Sequence, residues 1–571
     1  MKKYLVSIVS LLAFAACGGD DKGGETPSGG SLSVDFTFSQ ESAYTGEEVT
    51  VTPEVKGGKA PFTYAWDFGN ETTSADATAT VAYDKADVYL VKLTVTDANN
   101  AKGSKTRVFQ VTAAPVMDKG DLKIEWYVDF NDGAKIRGSV PAVDDNGNVY
   151  VASSIDGNGQ LYQVSADGKN VKNVSLAPST GNTCGSPSID ASGSVYCGAG
   201  SGSGGSYHKY TDMSAVWALT DCANGAANPK IWYGAPVILG DGNILIANAG
   251  GTGSVGAATE AGVRTGYVTS MTGKGPSGGC RQSPVVSNDG YVWQACAANG
   301  VIGIELSALV QAGGHNYDWF VGNINSDGKG SANETYNMML SSSNGDRPAQ
   351  AVVSVGGVNY CAGLCVPAGF AQVYKVSKTG EVATFVIDGA NTSIENISVQ
   401  DQGGVIIGAG NEIVVNLKAG GSKPDGGIVA VDPATMTLAW EYRTAESVAA
   451  APALTKEGYI AFGTDEGVFY VINPANLDEN KTPELIAKAT INEMIVEKGM
   501  VPASEENFNI KMWSGVTVGD DGKLYIGFTK EDGGNNSAGL LCLSSSKITG
   551  AGTSQWPMMG VDRRHTGVQK K

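Results

Sequence analysis

Three arginines, Arg137, Arg281 and Arg347, are the residues of this acidic chain best suited to bind an anionic group. Each stands a few residues before a short apolar segment that we predict to be an inner strand of a repeated sheet. A guanidinium group recognises carboxylates through paired hydrogen bonds, so three of them near one axis favour a uronate or another carboxylate. The alternative is that each arginine pairs with a nearby acidic side chain.

Aromatic side chains predict a second kind of contact. Trp513 precedes the last repeat at a similar position, where its ring either stacks on a sugar or packs in the core. Tyr317 and Tyr336 belong to the longest irregular insertion, about residues 311–347, and long loops on a rigid scaffold often carry function. We therefore predict six ligand-binding residues: Arg137, Arg281, Arg347, Tyr317, Tyr336 and Trp513.

Catalytic groupings are not recognisable in the sequence. The three histidines, His208, His315 and His565, accompany no known nucleophile motif. Aspartates next to glycine recur at one position of the repeats, where turn formation explains them better than calcium binding. We predict no catalytic residue and no metal ligand, although 58 acidic residues leave room for a catalytic pair of carboxylates.

Eight cysteines follow Cys17, and an oxidising compartment would allow them to form disulfides. Two pairs are suggested by spacing. Cys361 and Cys365 could close a small loop, and Cys280 and Cys296 flank a predicted hairpin. A zinc site is disfavoured because the chain has no Cys-x-x-Cys pair.

A twelve-residue pattern recurs between residues 121 and 571 and predicts hairpins. Proline costs little at the start of a strand, and the glycine six positions later accepts positive φ in the turn. The pattern is complete at Pro141/Gly147, Pro187/Gly193, Pro236/Gly242, Pro284/Gly290 and Pro452/Gly458. Weaker copies without proline are Ala351–Tyr360, Ile397–Ile407 and Gly515–Ile526. Eight such hairpins predict eight four-stranded blades around one axis.

These repeats resemble the pyrroloquinoline-quinone (PQQ)-type propellers, which include quinoprotein alcohol dehydrogenases and the propeller lipoprotein of the outer-membrane barrel assembly machinery. The tail, Gln555–Asp562 with His565–Gly567, resembles a terminal motif of such proteins. The dehydrogenases hold their quinone against a disulfide between adjacent cysteines, with calcium nearby. This chain has no adjacent cysteines, so we expect no PQQ cofactor. Either Trp126 or Trp556 is expected on the strand that closes the ring.

Residues 32–113 alternate between apolar and polar side chains, which predicts a small antiparallel β-sandwich of the immunoglobulin type. The run Trp66-Asp67-Phe68-Gly69 resembles the signature of the polycystic-kidney-disease (PKD) domain, and Val91–Asp97 resembles its penultimate strand. The resemblance implies that the two aromatic rings fill the core and that the aspartate bonds the following turn. Members of this family are usually spacers or interaction modules.

The N-terminus has the features of an export signal. Two lysines precede the apolar stretch Leu5–Phe14, which is too short to span a bilayer. The following Ala-Ala-Cys resembles a bacterial lipobox, which implies a signal peptide at residues 1–16 and acyl chains on Cys17. Residues 17–31 read as a flexible tether. Their acidic residues resemble the export signal of Bacteroidota surface lipoproteins, which implies an outer-membrane anchor and surface exposure.

The sequence thus predicts an all-β protein: an immunoglobulin-like PKD sandwich at 32–113, a linker at 114–120 and an eight-bladed β-propeller at 121–571. A net charge of −18 argues against nucleic acid as a partner. We expect a non-catalytic lipoprotein that binds a glycan or an extracellular protein. One alternative is an envelope assembly or adhesion scaffold that pairs with polypeptide edges. The other is an enzyme, a divergent quinoprotein or a polysaccharide-cleaving propeller.

Overall fold

The computed structural model divides into two compact units, Met1–Val116 and Met117–Lys571. It describes residues 32–568 except 41, 45–47, 84, 86, 113–120, 156–157, 178–183, 201–204, 221–230, 232–233, 248–254, 269–282, 297–299, 316–318, 323–330, 333–350, 356–357, 366–369, 378–381, 388–390, 394–396, 399–403, 420–425 and 503–506. No helix in this part of the chain is long and apolar enough to cross a bilayer.

The first unit is a sandwich of two sheets. Its strands are β1 (Ser33–Phe38), β2 (Ser42–Tyr44), β3 (Glu48–Lys56), β4 (Thr63–Asp67), β5 (Thr73–Ser74), β6 (Ala79–Ala82), β7 (Asp87–Thr96) and β8 (Lys102–Thr112). One sheet has the order β1-β3-β6 and the other β2-β8-β7-β4-β5. The aromatic run behaves as expected: Trp66 and Phe68 are buried, and an Asp67 carboxylate oxygen accepts the Gly69 amide at 3.0 Å.

The second unit begins with β9 (Lys123–Asp129) and continues as a series of sheets, named A to H here in chain order. Sheet A holds β10 (Ala142–Val143), β11 (Val149–Ile155), β12 (Asn158–Val164) and β13 (Val171–Ser175). Sheet B holds β14 (Ser188–Ile189), β15 (Val195–Ala199), β16 (Ser206–Thr211) and β17 (Ser214–Leu219). Sheet C holds β18 (Val237–Ile238), β19 (Asn243–Ala247), β20 (Val255–Thr259) and β21 (Arg264–Val268).

Sheet D is interrupted by an insertion. Its segment runs through β22 (Val285–Val286), β23 (Tyr291–Cys296), β24 (Gly300–Glu305), α1 (Leu306–Leu309), β25 (Gly313–His315), β26 (Trp319–Gly322) and β27 (Ser331–Ala332). Strand β25 does not pair with the strands of sheet D. It pairs in parallel with β21 of sheet C. Part of the predicted irregular insertion is therefore a strand that extends the neighbouring sheet.

The remaining sheets follow the same plan. Sheet E holds β28 (Ala351–Val355), β29 (Val358–Cys365), β30 (Phe370–Ser377) and β31 (Val382–Ile387). Sheet F holds β32 (Ile397–Ser398), β33 (Val405–Ile407), β34 (Ile413–Ala419), β35 (Gly426–Asp432) and β36 (Thr437–Thr444). Sheet G holds β37 (Ala453–Leu454), β38 (Ile460–Gly463), β39 (Val468–Leu477) and β40 (Pro483–Thr490), with α2 (Ile491–Glu497) after it. Sheet H holds β41 (Asn509–Lys511), β42 (Val516–Val518), β43 (Leu524–Asp532) and β44 (Asn535–Ser544).

The proline–glycine pattern predicts the inner hairpins correctly, but one weak copy is misplaced. The five turn glycines of the complete copies all have φ between 79° and 89°. In sheet F the hairpin joins β33 to β34, so the predicted copy at Ile397–Ile407 begins too early. Asn411 takes the position of the turn glycine with φ 67°. Asparagine tolerates this left-handed conformation. Because the turn residue is not glycine, the proline–glycine pattern does not identify this hairpin.

Strand β9 closes the last sheet. It pairs antiparallel with β44 at the outer edge of sheet H, and Trp126 lies opposite Cys542. The Trp126 indole nitrogen donates to the carbonyl of Ala166 in sheet A at 3.1 Å. Of the two tryptophans that the sequence leaves open, Trp126 is on the closing strand, while Trp556 lies in the C-terminal tail.

The inner strands lie side by side around an axis, and the apolar cores fill the spaces between neighbouring sheets. Inner strands of successive sheets are in contact from β10 to β14 and β18, and from β22 through β28, β33 and β37 to β42. The last sheet meets the first, since the Thr517 hydroxyl donates to the Pro141 carbonyl at 2.5 Å. The second unit is therefore a β-propeller.

Candidate functional site

The central channel of the propeller has two chemically different ends. The inner strands all follow a loop and precede a hairpin turn, so one end of the channel is surrounded by the loops and the other by the turns. We call these the loop end and the turn end. Ligands of propellers and other scaffolds are usually held by the loops at such an end.

The turn end is covered by the C-terminal tail, residues 556–568, which we call the belt. Inner strands of six sheets donate a backbone amide to a belt carbonyl, each from the last residue of its short strand. These bonds join Val143 to Arg563 (2.7 Å), Ile189 to Arg564 (2.9 Å), Ile238 to Thr566 (3.0 Å), Val286 to Gly567 (3.5 Å), Ile407 to Trp556 (2.8 Å) and Leu454 to Pro557 (2.7 Å). From its N-terminal to its C-terminal end, the belt bonds to sheets F, G, A, B, C and D in turn. The tail therefore runs around the axis.

Met559 of the belt is buried among residues of three sheets. It is 7% exposed and packs with Val140 of sheet A and Ala451 of sheet G. Its sulfur also lies 3.8 Å from the Ser186 hydroxyl of sheet B. One side chain of the belt thus contacts three sheets.

Arg563 joins the first and last sheets at the turn end. Its guanidinium donates to Asp520 of the sheet H turn at 2.7 Å and to Asp145 of the sheet A turn at 2.6 Å. A third bond goes to the Val143 carbonyl at 2.7 Å. Because the aspartates are exposed, the charge attraction is screened, but the arginine itself is only 16% exposed and its geometry is fixed.

His565 is the buried imidazole of the belt. Its Nδ1 lies 2.8 Å from the carbonyl of Pro187, and a carbonyl can only accept, so Nδ1 carries the proton of the neutral ring. Burial lowers the pKa of His565 to about 4. The imidazole is therefore neutral at physiological pH and serves as a structural donor.

At the loop end the structure brings two predicted residues together. The Arg137 guanidinium lies over the Trp513 ring, 5.1 Å from its centroid. The next residue, Gly138, donates its amide to the Trp513 carbonyl at 2.9 Å. Arg137 is exposed and Trp513 half-buried, so the pair forms an accessible aromatic and cationic surface at the seam between sheets H and A.

A cavity of about 490 Å³, the seam pocket, lies along the same loop that carries Arg137. Its polar lining side chains are Asn131, Lys530, Asp532, Asn535, Asn536 and Ser537, and Gly133 and Gly534 complete it. Lys530 is nearly buried, with its ammonium 3.2 Å from an Asp129 oxygen and 5.2 Å from the centre of the Phe508 ring. The sequence did not predict this pocket. Its lining residues come from opposite ends of the propeller segment, at 131–133 and 530–537, and asparagine-rich turns alone do not show that these ends meet.

Other predicted ligand and modification residues lie outside the described residues: Cys17, Cys280, Arg281, Tyr317, Tyr336 and Arg347. Of the predicted pair Cys280–Cys296, the hairpin between β22 and β23 is present. The pair Cys361–Cys365 disagrees with the backbone, because both residues lie in the single extended strand β29. Four residues of strand span about 13 Å, whereas bridged cysteines need Cα atoms within about 7 Å.

The turn aspartates are engaged by the backbone. One Asp144 oxygen accepts the amides of Asn146 and Asn148 at 2.9 and 2.8 Å, as expected for a turn residue. Within the described part of the chain, no group of three or more His, Cys, Asp or Glu could hold a metal ion. Cys184, Cys197 and Cys542 are buried free thiols there, and burial raises the pKa of the Cys184 thiol to about 12.

The sequence of the first unit identifies it. Residues 33–113 match the family model of the PKD domain, in agreement with the two-sheet sandwich and the buried aromatic run. The first unit is a PKD domain. No curated protein sequence matches the chain.

Solved structures similar to the chain are quinoprotein-type and related propellers. A quinohemoprotein alcohol dehydrogenase from Pseudomonas putida HK5 is 13% identical, with a TM-score of 0.46 over 78% of this chain and 79% of that one. BamB from Moraxella catarrhalis is 13% identical, with a TM-score of 0.42 over 74% and 98%. A quinoprotein alcohol dehydrogenase-like protein from Bacteroides thetaiotaomicron is 14% identical, with a TM-score of 0.28 over 72% and 95%. The propeller that follows the PKD domain is assigned from its own strand order and closure.

Proposed function

We propose that this chain is a non-catalytic, lipid-anchored surface protein of the outer membrane whose eight-bladed propeller binds a glycan at the loop end of its channel. The PKD domain, which precedes the propeller in the chain, serves as a spacer or interaction module. The observation that carries the proposal is the contrast between the two ends of the channel. The belt covers the turn end, whereas the Arg137–Trp513 pair lies exposed at the loop end.

The eight-bladed count is supported by the strand pairing. Within the described residues, the second unit forms eight sheets, and β9 completes sheet H. The Thr517–Pro141 bond joins sheet H to sheet A, and the belt passes the inner strands in ring order. Eight blades leave a channel wide enough to need a filler, and Met559 is the residue we assign to that role.

The chemistry of the Arg137–Trp513 pair suits a carbohydrate. An aromatic ring offers an apolar face to the C–H groups of a sugar, while a guanidinium donates to its hydroxyl or carboxylate oxygens. The chain has a net charge of −18, so the exposed Arg137 at the channel end is a local exception that favours an acidic or hydroxylated ligand.

The proposal includes no quinone cofactor. The quinoprotein dehydrogenases that the repeats resemble typically hold their quinone against adjacent cysteines, and the sequence has none. We place Met559, which packs with Val140 and Ala451, at the axis, where it would exclude a planar cofactor at that level. No residue is assigned a catalytic role.

The test is native affinity electrophoresis of residues 32–571 through gels that contain single soluble polysaccharides, followed by assay for cleaved product. We expect retardation by at least one polymer without cleavage, and its loss in Arg137→Ala and in Trp513→Ala. Arg107→Ala, which changes an exposed arginine of the PKD domain, is the matched control. No retardation by any polymer would contradict the glycan proposal, and cleavage would contradict the non-catalytic one.

A second candidate function, binding of a polypeptide, is favoured by one observation. A groove of about 640 Å³ between sheets F and G is lined by Pro433, Pro474, Leu477 and Trp440 together with the carboxyl groups of Glu412 and Glu457. Apolar walls with acidic groups suit a peptide that carries a lysine or arginine. Retention of basic extended peptides by the wild-type chain, and not by Leu477→Lys, which removes an apolar contact and adds a repelling charge, would support this function in place of the first.

A further inference from the structure

We propose that the seam pocket binds one neutral sugar residue of the polymer, an inference that rests on the proposed function and adds a defined subsite to it. Asn131 and Gly133 of the pocket and Arg137 of the Arg137–Trp513 pair lie on one continuous segment, residues 130–138. A polymer that touches the Arg137 side chain can therefore reach the pocket without crossing another sheet.

The lining of the pocket selects the chemical class. Its polar groups are three amides, a hydroxyl, a carboxylate and an ammonium, and no apolar side chain of the described residues lines it. Its volume of about 490 Å³ lies in the range of small-molecule sites. Hydroxyl groups both donate and accept hydrogen bonds, as amides do, so a polyhydroxylated ring can satisfy this lining, whereas a lipid or an aromatic ligand cannot.

The charges of the pocket disfavour an anionic sugar. The single ammonium group, that of Lys530, is already engaged by Asp129 at 3.2 Å and lies over the Phe508 ring. The one carboxylate of the lining is that of Asp532. Because Asp129 already neutralises the Lys530 ammonium, the Asp532 carboxylate is left to repel a uronate, and the subsite fits a neutral residue.

The backbone around the pocket is fixed before a ligand arrives. Asp129 accepts the Asn131 amide at 2.9 Å, and Asp132 accepts the Ala134 amide at 2.9 Å. Asp132 also accepts the Tyr162 hydroxyl, and the Tyr162 ring stacks on Phe130 with centroids 3.9 Å apart. A site held in this way loses little conformational entropy on binding.

The experiment is saturation-transfer-difference NMR on the full-length chain in detergent, with glucose, galactose, mannose and glucuronate offered separately. We expect signals from at least one neutral sugar, and a glucuronate signal only at the Arg137–Trp513 pair, where Arg137→Ala removes it. Asn535→Trp should abolish the neutral-sugar signals by filling the pocket, while Asn480→Trp, on the exposed outer turn of sheet G, should leave them unchanged. Asn536→Ala removes one amide and should weaken binding about fivefold, because one hydrogen bond contributes about 1 kcal/mol.

The outcomes separate the pocket from the proposed function. Retardation by a polymer, with no neutral-sugar signal or with one that persists in Asn535→Trp, would overturn the seam pocket and leave the glycan proposal standing. Signals lost in Asn535→Trp, together with polymer retardation that survives Arg137→Ala, would support the pocket and contradict the role of Arg137. A response to glucuronate alone would overturn the neutral subsite, and no response to any sugar or polymer would overturn both.

Discussion

His565 shows how one buried side chain can couple the belt to pH. Its pKa of about 4 lies below the ordinary value of 6.5, so the unfolded chain binds a proton more readily than the folded one. Its contribution to stability is complete above about pH 6.5 and falls as the pH drops towards 4. The loss approaches about 3 kcal/mol, at 1.36 kcal/mol for each pKa unit. Burial lowers the pKa of His208 to about 4 as well, and this second histidine acts in the same direction.

We predict that His565→Asn, which keeps a donor near the Nδ1 position, flattens the pH dependence of the free energy of unfolding between pH 6.5 and 4.5. The measurement is urea unfolding at a series of pH values. His315→Gln is the control, since the His315 side chain is partly exposed on β25. A His565→Asn variant with the slope of the wild type would show that this imidazole does not titrate in that window.

Arg563 is the residue whose loss should weaken the seam at the turn end. We predict that Arg563→Gln lowers the free energy of unfolding by about 1–2 kcal/mol, since it breaks three bonds of which two go to exposed carboxylates. Arg564→Gln is the matched control, because the Arg564 guanidinium is 3.8 Å from Asp145 and its side chain is 30% exposed, against 16% for Arg563. Equal effects of the two substitutions, measured by chemical unfolding, would contradict the assignment of Arg563 to the seam.

Single residues of the loop end were predictable only in part. Arg137 and Trp513 each stand before an inner strand, which placed both near the channel. Their stacking on one another was not predictable, because it depends on the first and last sheets meeting. Lys530 gave no signal at all, since a lysine within a strand has no local feature that marks it as buried.

The belt is the element that distinguishes the two ends of the channel. Its hydrogen bonds to six inner strands contribute about 1 kcal/mol each, and Met559 adds buried apolar surface. We predict that a chain ending at residue 550 loses roughly 5 kcal/mol or more of stability. A chain ending at residue 568 keeps the belt and is the control. Urea midpoints that agree between the two truncations would mean that the belt does not hold the ring.

The inner hairpins were the elements most accessible to sequence reasoning. A proline and a glycine six residues apart fix the start of one strand and the turn that follows it. The pattern failed in sheet F, where Asn411 adopts the turn conformation that glycine adopts elsewhere. The belt itself was visible only as a terminal motif, because its partners are backbone amides that every residue type provides.

At the scale of the molecule, the two ends of the propeller segment both close the ring, one at its outer edge and the other near the channel. Strand β9 completes sheet H at the outer edge, and the belt joins sheets H and A at the turn end. The sequence left two tryptophans as candidates for the outer closure. Trp126 lies near the start of the propeller segment and Trp556 near its end. Pairing between strands more than 400 residues apart, such as β9 and β44, has no local sequence signature.

The outer closure can be tested by a covalent link. Lys123 of β9 lies opposite Ser544 of β44 in the strand register. We predict that Lys123→Cys with Ser544→Cys is joined within the chain by a short bis-maleimide, which tolerates imperfect geometry, and migrates faster on denaturing gels. A disulfide between the same residues should raise stability by about 2–4 kcal/mol, because it closes a loop of nearly the whole propeller in the unfolded state. The single-cysteine variants control for other thiols, and absence of the link would mean that β9 does not close the ring.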